Sequence, residues 1–172
     1  MPTLDDAITD NYVAVGAGKE HTCGLRADGS VDWEANPAGA FGDGTIIGST
    51  IPTAVRSTLR FVSISSGDLH TCAIADSGVA YCWGSDGSGQ LGVSSAAFDS
   101  RCGALPCLAV PIRVSGRRLF TAITAGQGDH ACAVALSGSI YCWGAGGLGQ
   151  RGDGTSASGW SPTRVLSVAP PM

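Results

Sequence analysis

Charge is what this chain has least of. Charged residues are 14% of its 172 positions, against about 25% in an ordinary soluble protein. Lysines are few, and long surface helices, which favour Glu, Lys and Gln, are excluded on that ground. Ten Lys and Arg against fourteen Asp and Glu give a net charge of −4. A phosphate-binding surface needs clustered cations, so no nucleic-acid partner is expected. The nearest approach to a basic cluster, Arg113, Arg117 and Arg118, reads as solvated strand or loop charge. No apolar run reaches the roughly 18 residues of a membrane-spanning helix, so no membrane is expected as a partner. The segment Met1–Asp10 carries Asp5, Asp6 and Asp10 and no basic residue, which is not the pattern of a secretory leader. The chain is then cytosolic, has lost a leader, or is a piece of a longer one.

Glycine fills the gap. There are 26, about double the usual share of roughly 7%, as suits short strands joined by tight turns. The chain also repeats itself. Residues 61–92 read FVSISSGDLHTCAIADSGVAYCWGSDGSGQLG and residues 120–152 read FTAITAGQGDHACAVALSGSIYCWGAGGLGQRG. A weaker copy at 12–42 reads YVAVGAGKEHTCGLRADGSVDWEANPAGAFG. His21, His70 and His130 mark the register. IPTAV (51–55), VPIRV (110–114) and SPTRV (161–165) punctuate the copies.

Alternation in the second copy predicts four strands, near 53–56, 61–65, 71–75 and 79–83. Phe61, Ser63 and Ser65 fall on one face; Val79, Tyr81 and Trp83 share another. A hairpin across Asp76-Ser77-Gly78 joins the last two strands, with Gly78 supplying the positive φ of a three-residue loop. Taking each Pro-Val piece as the leading strand of the copy that follows, the first copy holds three strands, the next two hold four each, and 161–166 adds one. The boundaries are repeat one at about 11–50, repeat two at 51–92, an insertion at 93–108, repeat three at 109–160 and a closing strand at 161–166, in one domain over 1–172.

The order H-T-C-A, G-x-x-Y-C-W-G, G-x-G-Q-L-G resembles the regulator-of-chromosome-condensation repeat in a cysteine-containing form, over about residues 11–166. The resemblance implies an all-β fold, here a partial β-propeller of about three four-stranded blades. Closed propellers typically need about 4–8 blades, so the chain is either a piece of a longer propeller or associates head to tail with a second copy.

Seven cysteines invite a pairing scheme. Cys72 and Cys82 lie symmetrically about Ser77, so a hairpin there sets them opposite, within disulfide range. Cys132 and Cys142 repeat this about Ser137. Cys102 and Cys107 bracket the short loop CGALPC. All three pairs are expected to be disulfides, which places the protein outside the cell or in its envelope; reduced, buried cysteines are the alternative if it is cytoplasmic. No pair of cysteines is joined by a second pair in the manner of a zinc knuckle, and no metal is expected. Cys23 has no partner. The first copy reads Val31-Asp32-Trp33-Glu34, one residue short of the Y-C-W-G pattern, so a bulge or altered hairpin is expected there.

Two glycine runs, Gly87-x-Gly89-x-x-Gly92 and Gly147-x-Gly149-x-x-Gly152, match the dinucleotide fingerprint but open no helix, so they read as turns and no cofactor is expected. The three histidines hold one repeat position, which suits a structural residue better than a catalytic set. No paired carboxylates or nucleophile elbow are present, and an enzyme is not expected. The leading function is a non-catalytic scaffold for protein–protein contact, with the irregular insertion as contact loop through Phe98, Arg101, Leu105 and Pro106. The resemblance also implies guanine nucleotide exchange on a GTPase, or inhibition of a secreted enzyme, as alternatives.

Overall fold

The computed structural model describes residues 11–34, 39–94, 101–102 and 105–166, and these hold thirteen strands and no α-helix. The first sheet is β1 (Tyr12–Ala17), β2 (Thr22–Arg26), β3 (Val31–Glu34) and β4 (Thr53–Ala54), paired in that order. The second runs β5 (Phe61–Ser66), β6 (His70–Ala75), β7 (Ala80–Ser85) and β9 (Leu105–Arg113), with β8 (Arg101–Cys102) added beyond β9. The third is β10 (Phe120–Gly126), β11 (His130–Ala135), β12 (Ile140–Gly144) and β13 (Gly159–Arg164). Every pairing is antiparallel. These are three propeller blades, numbered here in chain order.

Each blade is a meander, because short strands of alternating character are joined by turns that glycine permits. In blade 2 the turn after β6 is closed by Gly78 N–H to Ala75 O at 2.8 Å and Ala75 N–H to Val79 O at 2.9 Å. Gly78 takes φ +79°, a conformation that costs an L-residue about 1–2 kcal/mol. The turn then feeds the next blade: Phe120 N–H donates to Gly78 O at 2.8 Å, as Phe61 N–H does to Gly29 O at 2.9 Å.

The core lies between blades, not within them. One cluster joins Cys23, Leu25, Val31 and Phe41 of blade 1 to Phe61, Ala73, Ala75 and Trp83 of blade 2. The other joins Cys72, Ile74, Cys82 and Leu91 of blade 2 to Phe120, Ala131, Ala133 and Trp143 of blade 3. Blades 1 and 2 thus each pack a trailing face on the leading face of the next. The two indoles pin these contacts: Trp83 Nε1 donates to Ala40 O and Trp143 Nε1 to Gln90 O, both at 2.8 Å. Gly92 is required here, because a Cβ on it would stand 2.9 Å from Trp143 Nε1.

Three expectations need correction. The Pro-Val strands close the preceding blade instead of leading the next one: Asp32 pairs Ala54, Tyr81 pairs Arg113 and Tyr141 pairs Arg164. Each blade therefore has its own outer strand and none is left over. The inner strands do not alternate cleanly, since each carries a register shift after its first residue, at Tyr12/Ala14, Phe61/Ser63 and Phe120/Ala122. The extra residue flips the faces, so Phe61 shares the blade 1 contact with Ile64 and not with Ser63. Finally, blade 1 is not a residue short. Cys23 pairs Trp33 and Gly24 pairs Asp32, as Cys72 pairs Cys82 and Ala73 pairs Tyr81. Trp33 stands in the cysteine's place and Asp32 in the tyrosine's, with no bulge between β2 and β3.

Candidate interaction surfaces

The three cysteine pairs stand at bonding distance: Cys72–Cys82 at 2.11 Å, Cys132–Cys142 at 2.13 Å and Cys102–Cys107 at 1.86 Å. The first two join residues directly opposite on a hairpin, with Cα atoms 4.1 Å apart. Cys72–Cys82 is sealed between blades 2 and 3. Cys132–Cys142 occupies the same place on the trailing face of blade 3. The third closes the β8–β9 hairpin.

That hairpin and residues 93–94 are the described residues of the insertion. The hairpin's main chain holds blade 2 through Asp86 N–H to Pro106 O at 2.9 Å, and leans on blade 1 through Gly44 N–H to Ala109 O at 2.7 Å. Of the four residues singled out for partner contact, Arg101 lies on β8, Leu105 and a half-buried Pro106 lie on β9, and Phe98 falls outside the described residues.

The histidines line one rim, where the inner strands end. His21 Nε2 meets Thr71 Oγ1 across the first junction at 3.1 Å. At the second junction Ala131 stands where Thr71 did, so His70 faces no hydroxyl, and it is completely buried. Desolvation holds His21 down to about 4. It holds His70 down to about 3, helped by the charge of His21 and opposed by the main chain of His130. A base whose folded pKa lies below its free value of about 6.5 binds protons better when unfolded. Its effect is therefore nil above pH 6.5 and destabilising as pH falls towards 4 and 3. Asp86 has the opposite sign. Its buried carboxyl, with Leu91 N–H on Oδ1 at 2.7 Å, is pushed up to about 7 by desolvation, against that main-chain bond.

Cys23 is buried, its thiol within 2.8 Å of Ser66 Oγ and donating to Gly16 O at 3.3 Å. Burial pushes it up to about 11 over the lowering effect of those contacts, the reverse of what a reactive thiol needs. The glycine-rich runs are turns: Gly92 N–H closes on Gly89 O at 3.0 Å, and Gly152 does the same on Gly149. Among the described residues no group of three His, Cys, Asp or Glu is placed to hold a metal ion.

The rim formed by the hairpin turns and the blade-to-blade connectors carries Arg60, Arg113, Arg117, Arg118 and Arg164 beside Asp28 and Asp76, all exposed, and its arginines gather towards blade 3. Arg113 Nη2 donates to Gly116 O at 3.4 Å, and Arg118 lies over the Tyr141 ring at 4.3 Å. The histidine rim carries Glu20, Asp68 and Asp129 against Lys19.

A sequence profile described as "Regulator of chromosome condensation (RCC1) repeat" matches residues 61–90 and 120–150. The human "Probable E3 ubiquitin-protein ligase HERC3" is 30% identical over 90% of this chain and 14% of its own length. The Xenopus laevis "Regulator of chromosome condensation" is 31% identical over 84% of this chain and 33% of its own. The Saccharomyces cerevisiae Prp20p structure superposes with a TM-score of 0.80 at 21% identity, covering 91% of this chain and 39% of that one. The chain spans between about a seventh and two fifths of these relatives.

Proposed function

This chain belongs to the regulator-of-chromosome-condensation repeat family, and on that premise we propose that it is a non-catalytic β-propeller scaffold for protein–protein contact. The observation that carries the reading is where the repeated reactive side chains go. His21 and His70 sit in blade junctions, Trp83 and Trp143 bond the preceding blade, and six cysteines are paired. What remains accessible is rim and loop, the part of a repeat fold that confers specificity. The insertion supplies the contact loop, through Phe98, Arg101, Leu105 and Pro106, and the Cys102–Cys107 closure of its β8–β9 hairpin lowers the cost of ordering it. Deleting 95–107 tests this contact. Retained folding with loss of a cross-linked partner supports it; an unchanged partner set refutes the loop as the surface.

A second reading, regulation of a GTPase, is favoured by the relatives, since the yeast protein is described by its binding to Gsp1p and to histones. A GDP-release assay with a small GTPase discriminates: no acceleration is expected, and acceleration replaces the scaffold reading with exchange. The bonded cysteines support an extracellular or cell-envelope setting. One free thiol in denaturant before reduction and seven after is the expected count; seven before reduction overturns it.

A further inference from the structure

The turn rim differs from the rest of the surface in composition as well as charge. Around the junction of blades 2 and 3, Arg113 and Arg118 converge on Gly116, with Arg117 between and Arg164 opposite Tyr141 on the outer strand. None of the four makes an ion pair with a carboxylate among the described residues. Asp153, on the adjoining perimeter turn, is already taken by Arg151 at 2.8 Å. Blades 1 and 2 carry an acid at the hairpin corner, Asp28 and Asp76; blade 3 carries Leu136, 67% exposed. Leu136 N–H bonds Leu119 O, and Val165 N–H bonds Ile140 O beside Leu166. Leu119, Ile140 and Leu166 are exposed too. The patch is thus guanidinium, a half-buried tyrosine and exposed aliphatic carbon, drawn from three separate stretches of chain.

We infer that this rim docks an acidic, apolar-studded segment of a protein partner. The inference rests on the scaffold reading and names its partner chemistry and a surface remote from the insertion. Charge complementarity calls for carboxylates, which the planar fork of Arg grips in pairs, and nine of the ten cations here are Arg. The aliphatic side chains call for apolar residues between those acids. They are out of place on a phosphate-binding surface, where contacts are polar and cationic. Arg and Tyr beside exposed aliphatics is the make-up of a protein contact centre.

The test pans a library of random dodecapeptides against the whole chain and measures binding of the enriched peptides to variants. Alternating acidic and aliphatic peptides are expected to be enriched. Arg117→Glu with Arg118→Glu should weaken them by about tenfold or more, and Leu136→Ser by several-fold, with melting nearly unchanged, since all three side chains are on the surface and only the Arg118 contact with the Tyr141 ring is given up. Deleting 95–107 should leave that binding intact. Peptides that bind the double reversal as well as wild type overturn this surface and leave the scaffold standing. An oligonucleotide or a phosphatidylserine vesicle that binds through these arginines more tightly than any peptide also overturns it. If no peptide is enriched at all, the scaffold reading falls together with it.

Discussion

Reduction of the native protein should open its three disulfides in a fixed order set by burial. Cys102–Cys107 closes a surface hairpin and Cys102 is half-buried. Cys132–Cys142 lies on the trailing face of blade 3, with Cys132 half-buried. Cys72 and Cys82 are both fully buried, walled by Ala131, Ala133 and Trp143 of the next blade. A thiolate must reach a sulfur along the bond axis, so this bridge waits until blades 2 and 3 part. With sequence separations of 10, 10 and 5, chain entropy assigns about 2.7 kcal/mol to each hairpin bridge and about 2.1 to the short one. Opening the two accessible bridges removes about 5 kcal/mol, which is of the order of a small domain's whole stability. The third should then follow quickly, as a consequence of unfolding and not of direct attack. Timed dithiothreitol treatment in native buffer, quenched by alkylation and read by peptide mass mapping, measures the order. Cys72 and Cys82 labelled as fast as Cys102 and Cys107 would refute the argument, because it would mean the blade junction gives no protection.

Other outcomes can be checked with purified protein. Lowering pH from 7 to 5 should cost about 2 kcal/mol for each of His21 and His70, partly offset by Asp86, which regains stability as it protonates. In Asp86→Asn the offset disappears, so urea midpoints at the two pH values should differ more than in wild type; an equal or smaller difference contradicts the assignment. Trp143→Phe leaves Gln90 O without its buried donor and should lose about 1–3 kcal/mol, read as a lower melting temperature, while Trp160→Phe on the outer strand should lose much less. Cys23 should resist alkylation in the folded protein and react at once in denaturant; native labelling would show that the first junction opens. Native mass spectrometry should report a monomer at low micromolar concentration.

How much of this was legible in the sequence depended on the range of the interaction. The Cys72–Cys82 facing followed from a local symmetry about Ser77, and the hairpin needed only Gly78. The inner-strand shift left no mark in the residue pattern: Phe61-Val62-Ser63-Ile64 alternates on paper, and the bulge shows only when Phe61 and Ile64 are both found against blade 1. The outer strands invite misassignment because Thr53–Ala54 lies much nearer in sequence to β5 than to β3, and only its pairing with Asp32 and Trp33 gives it to blade 1. The first copy looked short because a tryptophan was matched to a tryptophan, when the turn length fixes Trp33 opposite Cys23. The basic rim was legible only in part. Arg113, Arg117 and Arg118 are neighbours in sequence, whereas Arg164 joins them only once blade 3 has formed and stacked on blade 2.

The same logic bears on how a second copy could join. Within the chain, a leading face presents Ala75, Tyr81 and Trp83, or Ala135, Tyr141 and Trp143, and a trailing face closes on them. On blade 1 the corresponding register positions are Arg26, Asp32 and Glu34. Arg26 bonds Asp32 at 2.5 Å, Tyr12 OH donates to the same carboxylate at 2.9 Å, and the guanidinium lies over the Tyr12 ring at 5.0 Å. Beside them Tyr12, Val15, Thr22 and Gly24 line a shallow cavity of about 320 Å³. A trailing face stacked here as blade 2 stacks on blade 1 would take that ion pair out of water, which costs more than the pair returns unless every remaining lone pair is met. A head-to-tail ring built from the blade-on-blade contact therefore meets its obstacle at Arg26 and Asp32.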